Sequence, residues 1–179
     1  GWHCSDTAEL SFTDARVPAA NLVGEENTGF AQIADAFVVE RLALAAHGYG
    51  IAARSLDLAV AYCKDRETFG KPLIANQVVR HKLVEMHRRV EIARTYTREV
   101  ASRYVAGEQP IVEALHAKAT AVETAEHVVR EAVQLFGGTG YMHGTEVERH
   151  YRDARILGIG GGATEVLNDL TARLLGYTA

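Results

Sequence analysis

The sequence predicts an all-α fold, an up-and-down four-helix bundle with additional short C-terminal helices, and three observations carry that expectation. After residue 28, apolar residues recur at sums of three and four almost to the C-terminus, the period of helices with one buried face. The periodic stretches are long, and short glycine- or proline-marked connections separate them, as in antiparallel neighbours. Finally, 179 residues with 47% hydrophobic and 23% charged content are enough for one domain with a substantial core. Nothing repeats at a fixed period and no stretch is of low complexity.

The first segment is the exception to the helical pattern. Residues 8–17 (AELSFTDARV) alternate Leu10 and Phe12 with polar neighbours and end in Val-Pro, which reads as a half-buried strand. A turn-rich run at 24–29 follows. Helix one is expected over 30–62, with Ile33, Phe37, Leu44, Ile51 and Leu58 as its apolar stripe. Gly48 and Gly50 interrupt it and mark a kink or a close approach of another backbone. Helix two has the clearest pattern, with Val79, Leu83, Met86, Val90, Ala93, Thr97, Val100 and Tyr104 stepping by four and three. It stops at Gly107, and Pro110 opens helix three over 111–136, which is rich in alanine and keeps Leu115, Val122, Ala125, Val129 and Ala132 on one side. A loop over 137–144, a short helix over 147–156, a glycine run at 158–162 and a last helix over 164–175 complete the chain.

Composition excludes several classes of function. No apolar run approaches the roughly 20 residues needed to span a bilayer. A net charge of −4 gives no basic field for nucleic acid, and Arg88, Arg89, Arg94 and Arg98 read as a solvated helix face. Cys4 and Cys63 lack metal-type spacing and cannot supply a disulfide framework, so a reducing compartment is expected: the cytoplasm or, in a eukaryote, the mitochondrial matrix. The histidines are dispersed over several helices without a metal-binding spacing, so no metal is expected. The chain opens without Met or a signal-peptide pattern, which is expected of a piece of a longer protein.

Glu40 is the anomaly that periodicity exposes. The progression 33, 37, 40, 44 places a carboxylate where helix one calls for a hydrophobe, and burial there would raise its pKa into the range of a general base. A structural ion pair with another helix is the competing account. Two glycine-rich loops, 137–140 and 158–162, lie at helix boundaries, and the second leads into a helix N-terminus, where free N–H groups favour anionic or carbonyl oxygens. Neither has the context of a dinucleotide or phosphate-loop fingerprint, and simple turns would also account for them. Residues 66–73 (RETFGKPL) set a cation, an aromatic ring and a sharp turn between helices one and two.

Taken in order, these segments resemble the acyl-CoA dehydrogenase family along the whole chain. Residues 1–30 resemble the end of the family's middle β-domain and the approach to its C-terminal helical bundle. RETFGKPL, followed by Gln77, resembles the family's first flavin-contact segment, and QLFGGTGY (134–141) its second. RDARILGIGGGATEVL (152–167) resembles the closing active-site loop. The resemblance implies that residues 1–24 are a short β remnant of the middle domain with its connection, and that 25–179 are the bundle. It implies FAD lying between domains and also touching a neighbouring subunit of a homodimer or homotetramer. Arg66 and Phe69 would meet the adenosine diphosphate half across that interface, joined by Gln77, Gln134, Gly137 and Gly138. Thr164 and Glu165 would lie near the cofactor edge, with Ala163 standing where the family has threonine.

Most members of the family carry Tyr-Glu-Gly-Thr in the closing loop, with that Glu as the base, whereas this chain reads Gly160-Gly161-Gly162-Ala163. A branch typified by isovaleryl-CoA dehydrogenase places its Glu on the first bundle helix in Glu-Arg-Leu, and Glu40-Arg41-Leu42 stands at the matching point. By this resemblance Glu40 is the base, Arg41 positions or tunes the pocket, the Gly161 N–H stabilises the thioester oxygen, and Gly160 leaves room for a branched or bulky acyl group. The implied partners are an acyl-CoA substrate and an electron-transferring flavoprotein. Two alternatives are a flavin oxidase or oxygenase of the same fold and a non-catalytic subunit of a hetero-oligomeric dehydrogenase.

Overall fold

Three long helices form the frame of the computed structural model, which describes residues 1–177: α1 (Gly29–Asp65), α2 (Gln77–Val105) and α3 (Ile111–Phe136). The shorter α4 (Gly138–Tyr141), α5 (Glu146–Ala154) and α6 (Thr164–Leu174) follow, and α3 contacts all of the other helices. The last two positions of the expected 25–179 unit lie outside the described residues. The expected all-α bundle is therefore the observed fold. No helix among the described residues is long and apolar enough to cross a membrane.

Helix α2 buries Val79, Leu83, Met86, Val90, Ala93, Thr97 and Val100, the residues its sequence period marks. Three of its arginines are matched by neighbouring carboxylates: Glu85 accepts from Arg88 and Arg89 at 2.7 Å each, and Glu91 from Arg94 at 2.5 Å. That face is a surface of local ion pairs. Gly107, with φ +92, lets the chain leave α2 in a left-handed turn, and Pro110 caps α3. Residues 137–144, expected as a loop, include the single turn of α4.

Two expectations are corrected. Residues 8–17 form no strand: apart from a 3₁₀ turn at Ala19–Asn21 the N-terminal segment is irregular, and Leu10 and Phe12 are 78% and 80% exposed. A lone extended segment has no sheet to satisfy its backbone groups, so alternation alone does not make it a strand. The segment is held instead by Trp2, whose ring stacks on His47 at 5.4 Å and whose backbone N–H donates to Asp153 Oδ1 at 2.5 Å. The only strands among the described residues are the two-residue β1 (Glu67–Thr68) and β2 (Lys71–Pro72).

The second correction concerns α1. Its buried line is Val38, Leu42, Ala45, Ala52, Leu56, Ala59 and Cys63, one residue round from the expected stripe, while Ile33 is 54% exposed and Phe37, Leu44, Ile51 and Leu58 are half-buried. Close approach of α3 explains the shift. A Cβ at Gly48 would stand 3.0 Å from the Ala121 carbonyl oxygen, so small residues take the line of contact and the large ones flank it. Gly48 thus marks a close crossing within a continuous helix, whereas Gly50 faces open space.

Candidate active site

The half-buried flank of α1 carries Phe37, Glu40, Leu44 and, beside them, buried Arg41, and the glycine loop between α5 and α6 packs against it. A 3₁₀ turn over Arg155–Gly158 delivers the chain into this loop, and Gly160 donates its N–H back to Ile156 at 2.7 Å. Gly161 and Gly162 then adopt φ +65 and +103, a conformation that side chains disfavour, before Ala163 caps α6. A Cβ placed on Gly161 would fall 2.5 Å from Leu44 Cδ1 and 3.5 Å from Glu40 Oε1. Leu44 thus fills the space that a side chain at 161 would enter, and the carboxylate of Glu40 borders it beside the glycine backbone.

Glu40 itself is exposed, so the expected burial in the domain core is not found. It lies on the open flank because the large apolar residues around it also flank the α1–α3 contact. The cations near it are the buried groups. Arg41 is 7% exposed, places its guanidinium 4.9 Å over the Phe37 ring and directs Nε toward the Gly161 carbonyl at 3.5 Å. Burial lowers the pKa of Arg41, and the charge of Glu40 opposes that shift. Lys118 of α3 is 2% exposed, and its Nζ donates to the carbonyls of Gly160 at 2.6 Å and Gly162 at 2.5 Å. Burial again lowers its pKa, Arg41 adds to the effect, and Glu40 counters it.

Three successive carbonyls of the loop are thus aimed at two cations. In a planar trans peptide the N–H points opposite to the C=O, so the N–H of Gly161 is turned away from Lys118. The N–H groups of Gly161, Gly162 and Ala163 meet no backbone acceptor among the described residues. Ala163 cannot cap α6 with a side chain, so Thr164 and Glu165 begin a helix whose N-terminus lacks a side-chain cap.

The other expected site residues lie at the far end of the bundle. Arg66 closes α1 and its carbonyl accepts from Leu73 at 2.7 Å, which sets up the β1–β2 hairpin. Its two-residue turn is Phe69-Gly70, with φ of +51 and +76, and Phe69 stands fully exposed at the tip. Gln77 opens α2 beside it. Tyr62 stacks on Phe136 with ring centroids 4.1 Å apart, and this contact brings the end of α3, with Gln134, Gly137 and Gly138, to the same end of the molecule. From Glu40 to Tyr62 the helix rises roughly 30 Å. The structure therefore unites Glu40, Arg41, Gly160, Gly161, Thr164 and Glu165 in one group and Arg66, Phe69, Gln77, Gln134, Gly137 and Gly138 in another.

A model of the acyl-CoA dehydrogenase C-terminal domain matches residues 27–176. The chain belongs to the acyl-CoA dehydrogenase family. It is 57% identical to a probable acyl CoA dehydrogenase of known structure from Mycobacterium abscessus, with a TM-score of 0.96 over 98% of this chain and 47% of that one. It is 42% identical over 166 residues to the short-chain specific acyl-CoA dehydrogenase of Megasphaera elsdenii, covering 93% of this chain and 43% of the relative. With the cyclohex-1-ene-1-carbonyl-CoA dehydrogenase of Geobacter metallireducens it shares 37% identity over 176 residues, covering 98% and 46%. The chain spans less than half the length of these relatives.

Within this acyl-CoA dehydrogenase domain, sequence reasoning passed over Lys118. The signal that exposed Glu40 was present there too: 115, 118 and 122 step by three and four on the buried side of α3, and a lysine occupies the middle position.

Proposed function

We propose that this chain is the C-terminal domain of an FAD-dependent acyl-CoA dehydrogenase in which Glu40 removes the α proton of the acyl thioester. The observation that carries the reading is the placement of the Glu40 carboxylate against Gly161. The helix carboxylate lies in van der Waals range of where a Cβ on residue 161 would project, so a base on the helix and a base on the loop would reach the same region. Arg41 stiffens this corner from the buried side, through its stack on Phe37 and its approach to the Gly161 carbonyl. As the α proton leaves, charge gathers on the thioester oxygen, and the outward N–H of Gly161 is a donor for it. When bound, FAD supplies the acceptor for the hydride that leaves the β carbon.

The exposed donors suit such a cofactor. Arg66 offers a planar guanidinium to a pyrophosphate, Phe69 a bare aromatic face, and Gln77, Gln134 and the backbone at Gly137 and Gly138 further polar groups. Thr164 and Glu165 would border the cofactor at the other end. Because the two groups lie roughly 30 Å apart along α1, they serve the flavins of different subunits, which supports a homodimer or homotetramer. An electron-transferring flavoprotein would take the electrons onward in the cytoplasm or mitochondrial matrix. The small Gly160 leaves room for a branched or bulky acyl group.

Glu40→Gln in the full-length, FAD-loaded enzyme tests the assignment. The two side chains have nearly equal volume, so FAD content should persist while turnover falls roughly 10²-fold or more. Near-normal turnover would place the base elsewhere. Anaerobic bleaching of the flavin by a panel of acyl-CoAs tests the substrate class independently of that residue.

A further inference from the structure

We propose that Lys118 is the positioning residue of the closing loop, its buried ammonium holding the Gly160 and Gly162 carbonyls so that the Gly161 N–H faces the substrate side beside Glu40. The proposal rests on the reading of Glu40 and Gly161 given above. An ammonium has three donors and no acceptor, and here it projects from α3, the most enclosed helix, to two carbonyls two residues apart. Burying a charge costs several kcal/mol unless it is hydrogen-bonded, and these carbonyls are the partners that Lys118 finds. A hydrophobe on the same line of α3 would fill the core equally well. What the lysine adds is a fixed orientation for two peptide planes.

The loop needs such a device. Gly160, Gly161 and Gly162 carry no side chains to pack, and Gly161 and Gly162 lie in the left-handed region that glycine leaves and enters freely. A flip of the 160–161 peptide would turn a carbonyl, in place of an N–H, toward the developing negative charge. Arg41 constrains the intervening Gly161 carbonyl only at 3.5 Å, so the shorter pair from Lys118 is the main restraint.

The test compares Lys118→Met and Lys118→Arg in the full-length, FAD-loaded enzyme by hydrogen exchange and steady-state kinetics. With Met, exchange of the Ile159 and Gly160 amides, which donate to the Ile156 carbonyl, should rise about tenfold or more while α1 and α2 keep their protection. Because the N–H acts on charge that develops in the transition state, kcat and kcat/KM should fall together, by roughly 10²-fold, with FAD content retained. Arg, which keeps charge and donors, should recover most of both. If Lys118→Met does not fold, Lys118→Gln, which keeps an amide donor without the charge, carries the same comparison. Unchanged loop exchange with near-normal kcat overturns the proposal, as does a rise in exchange spread evenly over the bundle, which would make Lys118 a core residue only. Active Glu40→Gln alongside impaired Lys118→Met would refute the base assignment and leave the loop restraint standing; the opposite pattern would do the reverse.

Discussion

At the scale of single residues, the three glycines of the closing loop are not interchangeable. Gly161 has a left-handed backbone, and a Cβ there would strike Leu44; Gly162 is left-handed too, and a Cβ there would fall 2.7 Å from Leu167 Cδ2. Gly160 has neither restriction: a Cβ would meet the Ile156 oxygen at 3.4 Å, ordinary contact. A side chain can therefore be restored at 160 without disturbing Glu40. Gly160→Tyr should fill the space assigned to a branched acyl group, and each methylene-sized volume lost there is worth roughly 1 kcal/mol. The expected outcome is that the wild type prefers isovaleryl-CoA to butyryl-CoA in kcat/KM and that the variant reverses the order. A butyryl preference in the wild type would mean that other parts of the enzyme wall off this space.

At the scale of elements, α1 is continuous through two glycines that do different things. Gly48 lets α3 approach its backbone, and nothing lies near Gly50. Gly50→Ala should stabilise the domain by about 0.5–1 kcal/mol, since alanine loses less backbone entropy in a helix interior. Gly48→Val should destabilise it by about 1–3 kcal/mol, because its branched side chain must push Ala121 and the α3 backbone away. Urea denaturation midpoints of the two variants check the signs. The same pairing of helices governs the candidate site: Glu40 and Arg41 come from α1, Lys118 from α3, and only a fixed α1–α3 distance lets both reach the loop. Glu131 on α3, bound by Lys82 of α2, ties the third helix to the others.

For the molecule as a whole, stability should depend on pH through a buried histidine. His150 is 6% exposed and its Nδ1 shares a hydrogen bond of 2.8 Å with Ser55 Oγ. Burial lowers its pKa, with nearby Glu146 opposing, so the folded domain holds it neutral. The unfolded chain takes up this proton first as pH falls. The stabilisation is therefore complete above the ordinary histidine pKa, near 6.5, and is lost as pH falls through that value toward and past the lowered one. Thermal melts should show Tm falling from about pH 7 to 5, with a shallower slope in His150→Gln; an unchanged slope would assign the effect to other groups. Burial lowers the pKa of His127 in the same direction, so some dependence should survive. Exposed Phe30, Ile33, Val78, Val84 and Ile92 leave much apolar surface of the domain uncovered.

The period of α2, the Gly107 to Pro110 break and the alanine line of α3 each follow from local rules, so the sequence alone determined the helices and their order, and its motifs the family. The glycine loop was legible because a run of glycines breaks a regular pattern, whereas Glu40 stood out only against a stripe that α1 does not bury, and the Glu40-Arg41-Leu42 motif alone singled it out. Three things required the tertiary structure. The face that α1 buries depends on how near α3 comes, which turned small alanines into core and left larger residues on the flank. Residues 8–17 alternate like a strand, but strand formation depends on a partner that no local pattern contains. The meeting of Lys118 with Gly160 and Gly162 joins positions more than 40 residues apart. It depends on the packing of α3 against a loop of positive φ, and periodicity describes one helix at a time.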